Sequence, residues 1–182
     1  MKESINCSVS GILKYVIGFA GTLLFRLLSP FLGLWNISPL MATELTGAKV
    51  YGPWIGGLYG TVSMALIDLI MGKVGMWTIV TSLTYGAVGI FGAYYLKNRD
   101  ASAKNFVIAS IVGTLFFDLI TGVLMGPILF GGSFMIAALG QIPFTVRHLA
   151  GNVFFATVLA PWFYRKIMSN SALELSKVLK FA

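Results

Sequence analysis

The sequence predicts an all-α integral membrane protein, a six-helix transmembrane bundle with a short second helix. Three observations predict it. Hydrophobic residues make up 57% of the 182-residue chain and charged residues only 10%, against about 25% charged in ordinary soluble domains; the mean hydropathy is +0.86. Five apolar runs reach the roughly 17–25 residues that a helix needs to cross the hydrocarbon core. The basic residues sit between or beyond those runs, as they do in the cytoplasmic loops of membrane proteins. The whole of 1–182 reads as one membrane domain.

The elements follow in order. Residues 11–28 form the first run. Its bulky end (Leu27, Leu28, Phe31) and its length predict a retained helix rather than a cleaved signal peptide. The next apolar piece, 38–48 (SPLMATELTGA), is too short to span by itself and holds Glu44. Four full-length runs follow, at 51–71, 76–96, 104–126 and 143–166. The tail 171–182 reads either as a short amphipathic helix on the inner leaflet or as a solvated end. Charge sets the topology. The loop at 97–104 and the C-terminal tail are basic and lie two spans apart, so they share a side. Working back from them, six crossings put both termini in the cytoplasm, with the protein in the plasma membrane. Lys73 and Arg26 run against this bias. Small residues four apart, Gly56 and Gly60, Gly89 and Ala93, and Gly18 and Thr22, permit close helix packing.

Several function classes are excluded or disfavoured. No basic stripe interleaved with aromatics is present, so nucleic acid is not an expected partner despite a net charge of +7. One cysteine, Cys7, builds neither an internal disulfide nor a cysteine metal cage. One histidine, His148, cannot make a two-histidine metal site. No phosphate-cradling G-x-x-x-x-G-K-[ST] occurs, so any nucleotide hydrolysis falls to partners, and no cofactor is expected in this chain. An enzyme is not expected. The one catalytic arrangement available is Ser133 with His148, which requires the two side chains within hydrogen-bond reach.

Polar residues inside so apolar a chain carry the functional signal, because a charged side chain at the bilayer centre costs at least about 2.5–3.5 kcal/mol on insertion scales. They are Glu44, Asp68, Asp118 and Arg147, with Asn36, Gln141, His148 and Asn152 nearby. Asp68 opens DLIMG and Asp118 opens DLITG, two pentapeptides that differ at one position. Asp118 lies about 21 Å along its span from the inner end. Asn152 follows His148 by one turn on the same face. Most of this polarity gathers in the outer half, which predicts a pocket opening outward, with Glu44 deeper. Trp77 and Tyr85 offer flat surfaces for a ring. The alternative is structural: Arg147 pairs with Asp68 or Asp118 to hold the bundle, and each DLIxG simply ends an apolar stretch.

A longer pattern runs through "SPLMATEL", "GAKVYGPWIGGLYGTVSMALIDLIMG", "GMWTIVTSLTYGAVGIFGAYYLKNR" and "GQIPFTVRHLAGNVFFATVLAPWFYRKI". Over roughly 11–168 the chain resembles the substrate-binding S components of energy-coupling factor (ECF) transporters. The resemblance implies six helices and a pocket near the outer face for a vitamin or vitamin precursor. It implies partners too: a membrane scaffold subunit and two cytoplasmic ATPases that use the ATP. By position, Asn36, Trp77, Asp118, Gln141, Arg147, His148 and Asn152 would line or close the pocket, with Glu44 and Asp68 as secondary candidates. The family's scaffold-contact motif is Ala-x-x-x-Ala on the first helix, and Gly18-x-x-x-Thr22 stands nearest to it here. The family's metal-specific members use an N-terminal histidine site, which this sequence lacks. Other readings stay open at this point: a stand-alone small-solute permease, and a structural membrane protein without a ligand.

Overall fold

A chain in lipid must satisfy its backbone polar groups internally, and helices do so within one segment. The computed structural model describes residues 11–34 and 37–174, and these form helices joined by short connections, with no strand. Six helices form the bundle. They are α1 (Ile12–Leu28), α2 (Leu40–Tyr51), α3 (Pro53–Ile70), α4 (Met76–Leu96), α5 (Ala103–Phe130) and α6 (Phe134–Met168). All but α2 are long and apolar enough to cross a membrane. The protein is a multi-pass α-helical membrane bundle.

Helix α2 is the axis of the fold. Its 12 residues rise only about 18 Å, short of the roughly 30 Å hydrocarbon core. Residues Leu40 to Ala48 are all buried, and α2 packs against every other helix. Gly52, with φ of 86°, turns the chain directly into α3, where Pro53 opens the helix. Close packing there depends on small residues: a Cβ on Gly56 would overlap Ala48, and one on Gly89 would meet the Gly56 backbone.

The contacts order the two ends of the bundle. Lys14 Nζ donates to the Met168 carbonyl at 3.0 Å, and Lys49 Nζ donates to the Leu96 carbonyl at 2.9 Å. The start of α1, the end of α2, the α4–α5 turn and the end of α6 therefore share one end. It carries Lys14, Lys49, Lys97, Arg99, Lys104, Arg165 and Lys166. In the loop there, hydrogen bonds from Ser102 and Asn105 hold the exposed Asp100 carboxyl below its usual range. Successive helices run alternately up and down, so the chain passes between the ends six times, and residues 11 and 168 lie together.

Two sequence boundaries change. The expected spans 104–126 and 143–166 leave a long loop between them, but α5 continues to Phe130 and α6 already begins at Phe134. Pro143 lies inside α6, where it removes one backbone donor without ending the helix, as transmembrane packing allows. Within α5, residues Leu119–Leu124 are wound as a π-helix. Of the expected tail helix, Ser171–Leu173 form a 3-10 turn and 175–182 lie outside the described residues.

Candidate functional site

At the end opposite the basic cluster, the helices part around a cavity of about 420 Å³. Its walls come from the last turn of α1 and the loop after it, the end of α3, and parts of α4, α5 and α6. Aromatic rings form one side. Tyr85 on α4 lies 4.6 Å from Phe117 on α5, centroid to centroid. Phe117 and Phe144 both meet the His148 ring edge-on, at 5.6 and 5.7 Å. At the mouth, Trp77 is 44% exposed, its indole nitrogen tied to the Lys73 carbonyl at 2.9 Å.

Polar groups are set into this wall by paired contacts between antiparallel α5 and α6. His148 Nδ1 lies 2.7 Å from Asp118 Oδ1, and one turn deeper Asn152 Nδ2 donates to Thr114 Oγ1 at 2.8 Å. The two rungs join residues four apart on each helix, one face to one face. This short contact fixes the orientation of the imidazole ring, which lines the cavity. The π-helical turn adds one residue to the helical circuit, and such bulges recur at functional sites. Thr121 and Gly122 line the cavity from it. Gly122 gives room to the Gln141 amide, which a Cβ at that position would overlap.

A cavity of this size at one end of the bundle, walled by rings and a few fixed polar groups, has the character of a small-molecule site. A sequence model of the family described as "ECF-type riboflavin transporter, S component" matches residues 11–168. This chain belongs to that family. No curated protein and no solved structure matches it. The S component has its polar cavity at the end away from the basic loops.

The expected site residues divide. Trp77, Tyr85, Gln141 and His148 line the cavity. Asp118, 2% exposed, stands behind His148 and orients it. Asn152 is buried below the cavity as an α5–α6 tie. Asn36 lies outside the described residues. The remaining candidates lie away from the cavity. Arg147 is exposed on α6, about 100° around the helix from His148, and pairs with neither aspartate. Asp68 is buried in the last turn of α3, where its Oδ2 accepts from Thr78 Oγ1 at 2.7 Å. Glu44 is fully buried at mid-bundle. Its carboxylate fills the gap that Gly60 and Gly89 leave, and the nearby Gly89 backbone falls short of hydrogen-bond geometry. Gly18 and Thr22 face inward: a Cβ on Gly18 would sit 3.0 Å from Phe163, and Thr22 shares a 3.4 Å hydrogen bond with Thr43. As packed here, that pair holds α1 to the bundle and is closed to a scaffold subunit.

Ser133 caps the start of α6, fifteen residues before His148 on the same helix, about 22 Å of rise. The pair is far beyond hydrogen-bond reach and forms no hydrolytic couple. The sequence reading missed several wall residues, among them Arg26, Lys73, Thr81, Phe117 and Phe144. The aromatic ones carry no signal among 14 phenylalanines. Arg26 and Lys73 do carry one, since they are basic residues on the wrong side of the charge bias.

Proposed function

We propose that this S component is the membrane-embedded substrate-binding subunit of an ATP-driven ECF importer. It captures a small, water-soluble, ring-bearing solute of the riboflavin class, a vitamin or vitamin precursor, from the outer side. The observation that carries this reading is the cavity itself: the Tyr85–Phe117–His148–Phe144 series of tilted and edge-on rings supplies an aromatic wall, and His148 and Gln141 supply directed polar groups. Aromatic faces suit a planar heterocycle, and the Asp118 hydrogen bond holds the histidine ring in one orientation for it.

The chain does no chemistry in this scheme. A membrane scaffold subunit and two cytoplasmic ATPases supply the energy, and the basic end of the bundle faces the cytoplasm with both termini. The outer position of the cavity then follows from the positive-inside bias.

Two measurements test the proposal. Native mass spectrometry of the chain, purified in mild detergent from its own host, is expected to show a retained small molecule or a copurifying second membrane subunit. Riboflavin added to the empty chain is expected to lose fluorescence saturably as it enters the aromatic wall. A solitary chain that retains nothing and quenches no flavin would defeat the reading in favour of a structural role. Uptake that persists without any ATPase would favour a stand-alone permease.

A further inference from the structure

Basic residues at the cavity end need a reason, because both topology and burial oppose them. Lysine and arginine collect on the cytoplasmic side, and a cation set among apolar helices is costly unless it meets a partner or a wet cavity. Three described basic residues stand at this end: Arg26, Lys73 and Arg147. Arg147 points away from the bundle. The other two, from separate elements, both line the cavity.

Among the described residues, neither meets a carboxylate within ion-pair distance. The Asp118 carboxyl meets His148 instead. Asp68 is engaged by Thr78, and no carboxylate lines the cavity wall. Arg26 is half-buried, and its one side-chain hydrogen bond among the described residues is a 3.7 Å approach of Nη1 to the Met64 sulfur. A guanidinium has five N–H donors in a planar fork, so most of its hydrogen-bonding capacity faces the cavity unused. A neutral solute would leave it so, in surroundings of low dielectric where an unpaired charge is most costly.

We infer that the solute is anionic: a ring-bearing molecule carrying a carboxylate or phosphate group, gripped by Arg26 and drawn in by Lys73 at the mouth. The inference rests on reading this cavity as the solute site, and adds the ligand's charge to it. Arginine suits such a group because its fork matches carboxylate or phosphate oxygens two at a time, while lysine acts as a point charge. The ring then lies along the Trp77, Tyr85 and Phe117 side.

The experiment uses the full purified chain and two fluorescent probes with one ring system, riboflavin and riboflavin 5′-phosphate. The phosphorylated probe is expected to bind about tenfold or more tightly than the neutral one, as a charge-assisted contact predicts. Arg26→Gln is expected to remove that preference, its loss falling at least about ten times more heavily on the phosphorylated probe, with Arg26→Lys recovering part of it. Lys73→Gln is expected to cost a few-fold, fading as salt rises. A wild-type preference for riboflavin, or equal losses on both probes in Arg26→Gln, would overturn the inference. If neither flavin binds, the flavin-class reading fails and a separate measurement still decides the charge. Inorganic phosphate or acetate should then protect Arg26 from an arginine-selective dicarbonyl reagent, read as the modified peptide by mass spectrometry. Protection supports an anion site, and equal modification with and without anions refutes it.

Discussion

DLIMG at Asp68 and DLITG at Asp118 are nearly one motif, yet they build different things. At the first, the helix ends. Gly72 takes φ of 65°, Lys73 N–H bonds back to the Asp68 carbonyl, and the Asp68 carboxylate staples Thr78 across the α3–α4 turn. At the second, the helix runs on through a π-helical turn to Phe130. The Asp118 carboxylate crosses to His148 on α6, and Gly122 admits the Gln141 side chain. One aspartate serves a turn and the other orients a cavity wall. The difference lies in what each segment packs against, since the five residues themselves barely differ.

Substitutions can break this contrast. The largest effect is expected from Asp118→Ala, which leaves His148 Nδ1 buried without its partner. That costs about 1–3 kcal/mol, read as a lower unfolding temperature in detergent, and loosens His148, so solute affinity falls by about tenfold or more. If affinity holds, the cavity wall does not depend on that hydrogen bond. The milder Asp118→Asn keeps an oxygen acceptor, and the chain should stay folded while binding weakens several-fold. Asp68→Ala should lower stability by about 1 kcal/mol through the lost staple and leave solute affinity within about threefold. An equal loss of affinity would make the two aspartates equivalent after all.

The glycines sharpen the same contrast at smaller scale. Gly72→Ala forces a side chain into the left-handed region, costing about 1–2 kcal/mol of stability with no change in binding. Gly122→Ala meets only the far end of a flexible glutamine side chain. It should leave thermal unfolding unchanged and reduce affinity a few-fold as Gln141 is displaced. A reversed result, with Gly122→Ala unfolding the chain and Gly72→Ala spoiling the ligand, would exchange the roles assigned to the two motifs.

The parts of the site that were legible in the sequence were those set by helical period. His148 and Asn152 share a face because they are four apart, and both do meet α5. Arg147 was misplaced for a related reason. It is adjacent to His148, and a helix apolar on nearly all sides offers no polar stripe to say which of two neighbours turns inward. Gly18 and Thr22 show the same limit: the spacing announces a close contact, and the structure turns that contact toward Tyr59, Phe163 and Thr43. The π-helical turn left no trace in the residue pattern, although it brings Thr121 and Gly122 to the cavity. The mismatch of Arg26 and Lys73 with the charge bias was visible from the start, and its meaning emerged only when both lined one cavity.

By itself the sequence determined an all-helical membrane bundle, the order of its helices, its basic end and the small set of polar residues able to act. Lipid forces each backbone polar group into a helix, and composition alone marks where those helices run. Only the tertiary structure decided that α2 is the buried axis, that Asp118 belongs to His148 and Asp68 to Thr78, and that Arg26 faces the cavity. The rotation and register of apolar helices are set by how their small residues interlock, and that is a property of the packed bundle.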